Sequence, residues 1–384
     1  MANGRFMNNL PQDLQKEILL RLDPKSFVMM RCTSKSMEHI TKDPSFKSLY
    51  WSRTASSLLY IGVYGSNMAC FHHVGEVRPS HSKGRSKCIC FILGYCSSLI
   101  LVYIHGCFCV ANPLTKKYQF LDYCYLETKK NIGFAVDQID KTTQRFKIVC
   151  ITEVAVSNQG ETMYGFLINA GNSWKISKTK ITCLSSHLMR DMKPVYFQGS
   201  LCWFKSGGSI IGFNPETEKA RLIPTKFDHQ VGAKLLLSAD DEYLTLISAT
   251  EELIYLYALE NILTDSKWIL TRRIKNKPVH QIMLLCWCVE AFDGRHVLVS
   301  AKDEIEDAIY GYDVRANTWS VMGVVSKWGD AGCDLYQFKP SWSSVNGLHD
   351  QNNGSMLSLY ARFRSHREIS VKGIMELING HFRI

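Results

Sequence analysis

Ile210-Ile211-Gly212-Phe213-Asn214-Pro215-Glu216-Thr217-Glu218-Lys219 carries the pattern on which the fold turns. A short apolar run ends at an Asn-Pro pair, a polar turn follows, and a basic residue opens the next run. Asn112-Pro113-Leu114-Thr115-Lys116-Lys117-Tyr118 resembles it. Asn169-Ala170-Gly171-Asn172-Ser173-Trp174 and Asp313-Val314-Arg315-Ala316-Asn317-Thr318-Trp319 are looser copies, and Asp140-Lys141-Thr142-Thr143-Gln144-Arg145-Phe146 is read as one more. Each reads as strand, turn, strand. Recurrence every roughly 30 to 50 residues marks propeller-like blades. One small sheet cannot bury its own faces, so its neighbours must cover them. The copies are too degenerate to give the number of blades.

Outward from these copies, residues 55 to 345 read as strands throughout. Apolar or alternating runs fall at 88–93, 99–110, 146–152, 164–168, 200–204, 235–237, 243–247, 253–258, 283–292, 296–300 and 308–312. Asp293-Gly294 is a hairpin dipeptide, and Gly207-Gly208 marks another turn. Asp240-Asp241-Glu242 reads as a turn ahead of Tyr243, without the ligand spacing of a calcium loop. Many strands with regular turns predict a large sandwich or a propeller.

Residues 10 to 50 have a different period. Leu14, Ile18 and Leu22 recur every four residues with Leu19 beside them, which makes one apolar helix face. Pro11 suits the first helical turn, where its missing N–H costs nothing. Asp23-Pro24 ends this helix and opens a second with Phe27, Met30 and Cys32. Ser34 caps a third with Met37 and Ile40, which Asp43-Pro44 ends. About 40 residues rarely bury enough apolar surface alone. The pattern leaves open whether another chain or this chain's own body completes the face.

The 384 residues are 46% apolar and 21% charged, an ordinary globular composition that excludes a low-complexity or disordered chain. The longest apolar run, 99–104, is far short of the about 20 residues of a spanning helix. The first residues carry no secretory signal. No membrane partner is expected. Fourteen cysteines without small-domain disulfide spacing read as reduced thiols, and the Asn353-Gly354-Ser355 sequon as chance. A net charge of +10 permits acidic partners but does not call for nucleic acid. Cys70, His72, His73, His81, Cys88 and Cys90 invite a zinc reading, but their spacing is looser than C-x-x-C. The pairs Cys88/Cys90, Cys107/Cys109 and Cys286/Cys288, at strand period, fit core packing better. No metal or cofactor is expected. Arg272, Arg273, Lys275 and Lys277 form the densest basic cluster, suited to an acidic target segment, a nucleic acid or a nuclear import receptor or, more often, to a solvated hairpin. No nucleophile elbow, P-loop or dinucleotide fingerprint is present, so no catalytic residue is assigned.

Leu10-Pro11-x-x-Leu14-x-x-Glu17-Ile18-Leu19-x-x-Leu22, with Pro24-Lys25-Ser26-Phe27, Arg31-Cys32-Thr33-Ser34-Lys35 and Asp43-Pro44-Ser45-Phe46, resembles an F-box of the plant type. Met37 stands where that family usually has Trp. Val110-Ala111-Asn112-Pro113-Leu114-Thr115, Ile211 to Thr217, Tyr310-Gly311-Tyr312-Asp313 and Phe338-Lys339-Pro340-Ser341 resemble the F-box-associated, kelch-like β domain. The resemblance implies an α+β multidomain chain. A three-helix F-box would fill 5–50 and a large, all-β, propeller-like, degenerate kelch-like domain 55–345. The tail, 346–384, reads as one strand, 357–363, plus a short helix, 369–378, and is assigned no function.

The resemblance further implies the substrate-recognition subunit of a Skp–cullin–F-box ubiquitin ligase, in the nucleus, the cytoplasm or both. Its partners would be a Skp-type adaptor, through it a cullin and a RING protein, and a target protein. Leu10, Pro11, Leu14, Glu17, Ile18, Leu22, Pro24, Phe27, Arg31 and Cys32 would form the adaptor-binding set. His187, Arg190, Arg272, Arg273 and Trp328 are the target-binding candidates, chosen because aromatic and arginine side chains anchor interfaces. The alternative is a β-propeller ligand-binding module or enzyme with an incidental helical N-terminus.

Overall fold

A computed structural model describes residues 10–22, most of 26–50, the strands and part of the turns and loops between 57 and 345, and Val371, Lys372 and Met375 of the tail. Between 57 and 345 the described residues are strands and turns apart from the helical Lys277 and Pro278, and the strands fall into six sheets. Blade 1 contains β1 (Ser57–Tyr64), β2 (Asn67–Cys70) and β3 (Arg78–Ser80). Blade 2 is β4 (Cys90–Cys96), β5 (Leu99–Ile104), β6 (Cys107–Asn112) and β7 (Lys117–Leu121). Blade 3 is β8 (Ile132–Gln138), β9 (Thr143–Val156), β10 (Glu161–Asn169) and β11 (Trp174–Leu184). Blade 4 is β12 (Val195–Phe197), β13 (Ser200–Lys205), β14 (Ser209–Asn214) and β15 (Lys219–Pro224). Blade 5 is β16 (Lys234–Ala239), β17 (Leu244–Ala249), β18 (Leu253–Leu259) and β19 (Ile269–Lys275). Blade 6 is β20 (Cys286–Phe292), β21 (His296–Lys302), β22 (Glu306–Asp313) and β23 (Thr318–Ser326).

The ring closes through β24 (Asp334–Phe338), which pairs antiparallel with β1, Ser57 opposite Phe338, to give the order β24-β1-β2-β3. The innermost strands then neighbour one another in a circle: β4 by β8, β8 by β12, β12 by β16, β16 by β20, β20 by β24, and β24 by β4. The sheets are thus the blades of a six-bladed propeller, an arrangement that leaves only short, protected sheet edges. Blades 2 to 6 bury faces against one another in sequence. Leu99, Leu101, Phe108 and Val110 of blade 2 meet Ile132, Phe134, Phe146 and Ile148 of blade 3. The alternate residues of β5, Ile100, Val102 and Ile104, enter another core on the opposite face. Burial on both faces explains why this strand is apolar without alternation. The run 99–110, read as one strand, is two strands of a hairpin, β5 and β6.

The sequence copies have a physical basis. Asn214 Oδ1 accepts the N–H groups of Glu216 and Thr217, both at 2.9 Å. Asp313 Oδ1 accepts those of Arg315 and Ala316 at 2.8 and 2.9 Å, and Asn112 Oδ1 accepts that of Thr115 at 3.3 Å. The fifth residue of each copy, Lys116, Glu218 and Asn317, has φ of 56°, 51° and 58°. The first side chain therefore ties down a turn that the fifth completes in the left-handed region. These copies, and the one at Asn169, join the third and fourth strands of their blades. The Asp140 copy joins β8 to β9, the first and second strands of blade 3, so it is a hairpin of another kind.

In the N-terminal region two α-helices are seen among the described residues, α1 (Gln12–Leu20) and α2 (Lys35–Lys42). The expected three-helix arrangement is not shown. The helix read between Asp23-Pro24 and Cys32 lies partly outside the described residues, with Ser26, Phe27 and Met30 helical. Leu19, Phe27, Met37, Ile40, Phe46 and Tyr50 form one core, with the Phe27 ring stacked on Tyr50 at 4.2 Å. The Tyr50 hydroxyl donates to the Leu22 carbonyl at 2.8 Å. This core runs on without a break into Ile92, Ile100, Val102, Ile104, Cys109 and Ala111 of blade 2, and into Val371 and Met375 of the tail. The chain's own body thus covers the inner face of the helices. The strand read at 357–363 lies outside the described residues. Of the helix read at 369–378, the described residues Val371, Lys372 and Met375 are helical.

Candidate functional site

α1 follows Pro11, whose extended backbone (φ −52°, ψ 145°) precedes the first turn, and Asp13 lies in that turn. An acidic group there favours the positive end of the helix dipole. The helix splits its apolar residues between two directions. Leu19 is fully buried, whereas Leu14 is 52% and Ile18 37% exposed. Leu14 and Ile18 are one turn apart, and the exposed Pro11 and Glu17 flank them. Gln15 is buried and fixes the entry to the helix, its amide donating to the Leu10 carbonyl at 2.9 Å. Leu10 and Leu22 are half-buried. Phe27 points inward, 6% exposed, so it supports this face from behind. Pro24, Arg31 and Cys32 lie outside the described residues. The ten residues of the adaptor-binding set thus divide, with Pro11, Leu14, Glu17 and Ile18 presented outward. Covering a side chain of leucine size would contribute about 1.5–3 kcal/mol.

The target-binding candidates are not brought together. His187 sits between β11 and β12, where its carbonyl accepts the Ser206 N–H at 2.9 Å. Arg272 and Arg273 are exposed neighbours on β19, the outermost strand of blade 5, and so point to opposite faces. Arg273 lies over the Tyr255 ring, 5.8 Å from its centroid. Arg190 and Trp328 lie outside the described residues. A groove of about 770 Å³ opens between β19 and blade 6, lined by Arg273, Lys275, Lys277, Tyr310, Tyr312 and Trp319. Its wall is held by the Trp319 indole N–H, which donates to the Lys275 carbonyl at 3.1 Å. Tyr312 packs on Trp319 with ring centroids 5.2 Å apart. The sequence reading named the arginines and missed the aromatic wall, although Tyr310 and Tyr312 stand at strand period.

The polar groups at the turns are engaged. Arg295 reaches Asp313 at 2.7 Å and, with the Ala316 and Arg315 N–H groups, holds its carboxyl well below the usual range. The buried His296 lies 3.1 Å from Asp293 and 3.5 Å from Asp313. Burial pushes the Cys202 thiol up to about 12 and the Cys96 thiol up to about 11. Cys109 is buried, as core packing requires, but Cys288 is exposed, so burial does not explain the third cysteine pair. Among the described residues no cluster of three or more metal-ligating groups occurs. The side chains of Cys70, His72, His73, His81, Cys88 and Cys90 lie outside the described set.

The chain is thus a helical N-terminal region with an outward Leu-Ile pair, joined to a six-bladed propeller. The F-box domain family matches residues 7–49. An F-box/kelch-repeat protein of Arabidopsis thaliana is 52% identical over 352 residues, covering 90% of this chain and 80% of the relative. A second F-box protein of that plant is 45% identical over 375 residues, covering 91% of this chain and 89% of the relative. The chain belongs to the plant F-box/kelch-repeat family. A fungal lectin from Aleuria aurantia, itself a six-bladed propeller, aligns with a TM-score of 0.41 and 10% identity over 72% of this chain and 97% of that one. The blade count here rests on the six sheets and not on that likeness.

Proposed function

We propose that this chain is the substrate-recognition subunit of a Skp–cullin–F-box ubiquitin ligase, acting in the nucleus or cytoplasm. The observation that carries the reading is the outward Leu14–Ile18 pair on α1, inside the segment that matches the F-box family. A Skp-type adaptor covers this pair, with Pro11 and Glu17 at its margin, and links the chain to a cullin and a RING protein. The propeller holds a target protein. The chain supplies proximity and no bond chemistry: it raises the effective concentration of target lysines at the charged conjugating enzyme. The core shared by the F-box helices, blade 2 and the tail supports this role, because it ties adaptor face and target domain into one body.

The test is co-expression of the full chain with a plant Skp adaptor, followed by size-exclusion chromatography. Stoichiometric co-elution is expected, and its loss with Leu14→Glu plus Ile18→Glu. Surface substitution is a better control than deletion of residues 1–50, which would strip the apolar cover from blade 2. A wild-type chain that elutes apart from the adaptor, or a double variant that still co-elutes, would overturn the assignment.

A further inference from the structure

Lys205, the last residue of β13, is 2% exposed. A buried lysine is ordinarily paired with a carboxylate. Among the described residues Lys205 has no such partner. Its Nζ instead lies 2.8 Å from Cys183 Sγ and 3.2 Å from the Leu184 carbonyl, and sits over the Tyr164 ring, 5.2 Å from its centroid. N–H···O contacts span about 2.7–3.2 Å. Sulfur is larger than oxygen, so 2.8 Å is a close approach for nitrogen and sulfur.

The strands put these two groups face to face. Leu201, Trp203 and Lys205 alternate toward blade 3, and Ile181 and Cys183 of β11 point toward blade 4. Residues 186–189, between β11 and β12, then close over the amine as a strap. Leu188 bridges to Lys205, the Met189 N–H donates to the Phe204 carbonyl at 2.9 Å, and the Ser206 N–H donates to the His187 carbonyl at 2.9 Å. Two side chains of blade 3 anchor the strap: Glu153 accepts the Leu188 N–H at 2.7 Å, and the Tyr164 hydroxyl donates to the Ser186 carbonyl at 2.5 Å. The amine is held in place, while Cys183 is partly exposed and within reach of a small oxidant.

We propose that Cys183 and Lys205 form a covalent modification site at which dioxygen joins thiol and amine through one bridging oxygen atom. The S–H bond and one N–H bond break, and S–O and O–N bonds form. Sulfur and nitrogen each give up two electrons. Dioxygen takes up all four: one oxygen atom becomes the bridge, and the other leaves as water with the two hydrogens. Two equivalents of a dithiol reverse the step and return thiol, amine and water. The bridge links β11 of blade 3 to β13 of blade 4, a staple across a blade interface. It also diverts Cys183 from the ladder of sulfinic and sulfonic acids. The inference is independent of the ligase reading.

The test is mass spectrometry of the full chain, purified in air and digested with trypsin without reductant. The expected species contains Cys183 and Lys205 in joined peptides, uncut after Lys205, with mass increased by one oxygen less two hydrogens. Dithiothreitol should abolish it. Lys205→Met, similar in length and apolar, should lose the species, and dilute peroxide should then carry Cys183 to the sulfinic acid. The unreduced wild type should also melt at a higher temperature than the reduced. Recovery of wild-type Cys183 only as free thiol or sulfinic acid, with Lys205 cleaved normally, would overturn the proposal. The wild-type measurement decides the matter even where a variant fails to fold.

Discussion

Leu14 and Leu19 lie on the same short helix and face opposite ways, Leu14 at 52% exposure into solvent and Leu19 at 0% into the core shared with blade 2. Sequence periodicity places both on an apolar helix, yet they have different tasks. Leu19→Ala should cost about 2–5 kcal/mol of stability through lost burial and a residual cavity. Leu14→Ala should change stability by about 0.5 kcal/mol or less, as surface changes do. Urea unfolding of the two variants checks this, and equal losses would mean that Leu14 is packed in the isolated chain.

The tail is part of the same core. Val371 and Met375, each 1% exposed, lie with Leu19, Met37 and Ile40. Met375→Ala should destabilise by about 2–5 kcal/mol. Limited proteolysis should then cut residues 10–50 faster than the propeller, because the brace on the helices is the part removed. An unchanged digestion pattern would show that the helices hold to blade 2 without the tail.

The Arg295–Asp313 pair gives a pH dependence with a definite sign. The folded-state pKa of Asp313 is depressed. Its contribution is therefore present above the unfolded carboxylate value of about 3.9 and is lost as pH falls below it. Asp313 is in contact with Arg295 and the buried His296, and Asp293 faces the same imidazole. Melting curves between neutral pH and pH of about 3 should show the wild type losing stability more steeply than Asp313→Asn. Parallel curves would contradict the assignment.

Strands buried on both faces and the Asn-Pro turns were legible in the sequence, because propeller geometry places apolar runs and turn residues there. The runs read at 200–204 and 210–213 match β13 (Ser200–Lys205) and β14 (Ser209–Asn214) closely. Of the outer strands, β11 and β15 were read only through the turn copies that open them, at Trp174 and Lys219, and β19 was missed, for a physical reason. They line the rim, so most of their side chains are exposed or half-exposed, as in Ile269–Lys275, where only Ile274 is buried. They have no apolar pattern of their own. The short inner strand β12 offers too few residues for a period. Closure by β24 is a relation between the two ends of the domain, which no local pattern encodes. The same holds for the groove, where Arg273 and Tyr310 come from different blades. The outward direction of Leu14 and Ile18 needed the packing of Leu19 and Phe27 to be known.

The affinity of the Skp adaptor for wild type and for Leu14→Ala plus Ile18→Ala, by titration calorimetry on chains of equal thermal midpoint, tests the central claim most directly. Two side chains of this size are worth about 1.5–3 kcal/mol each when covered. The account predicts a loss of about tenfold or more in affinity, each tenfold being about 1.4 kcal/mol. Equal affinity would show that the adaptor, if bound at all, does not use this face of α1.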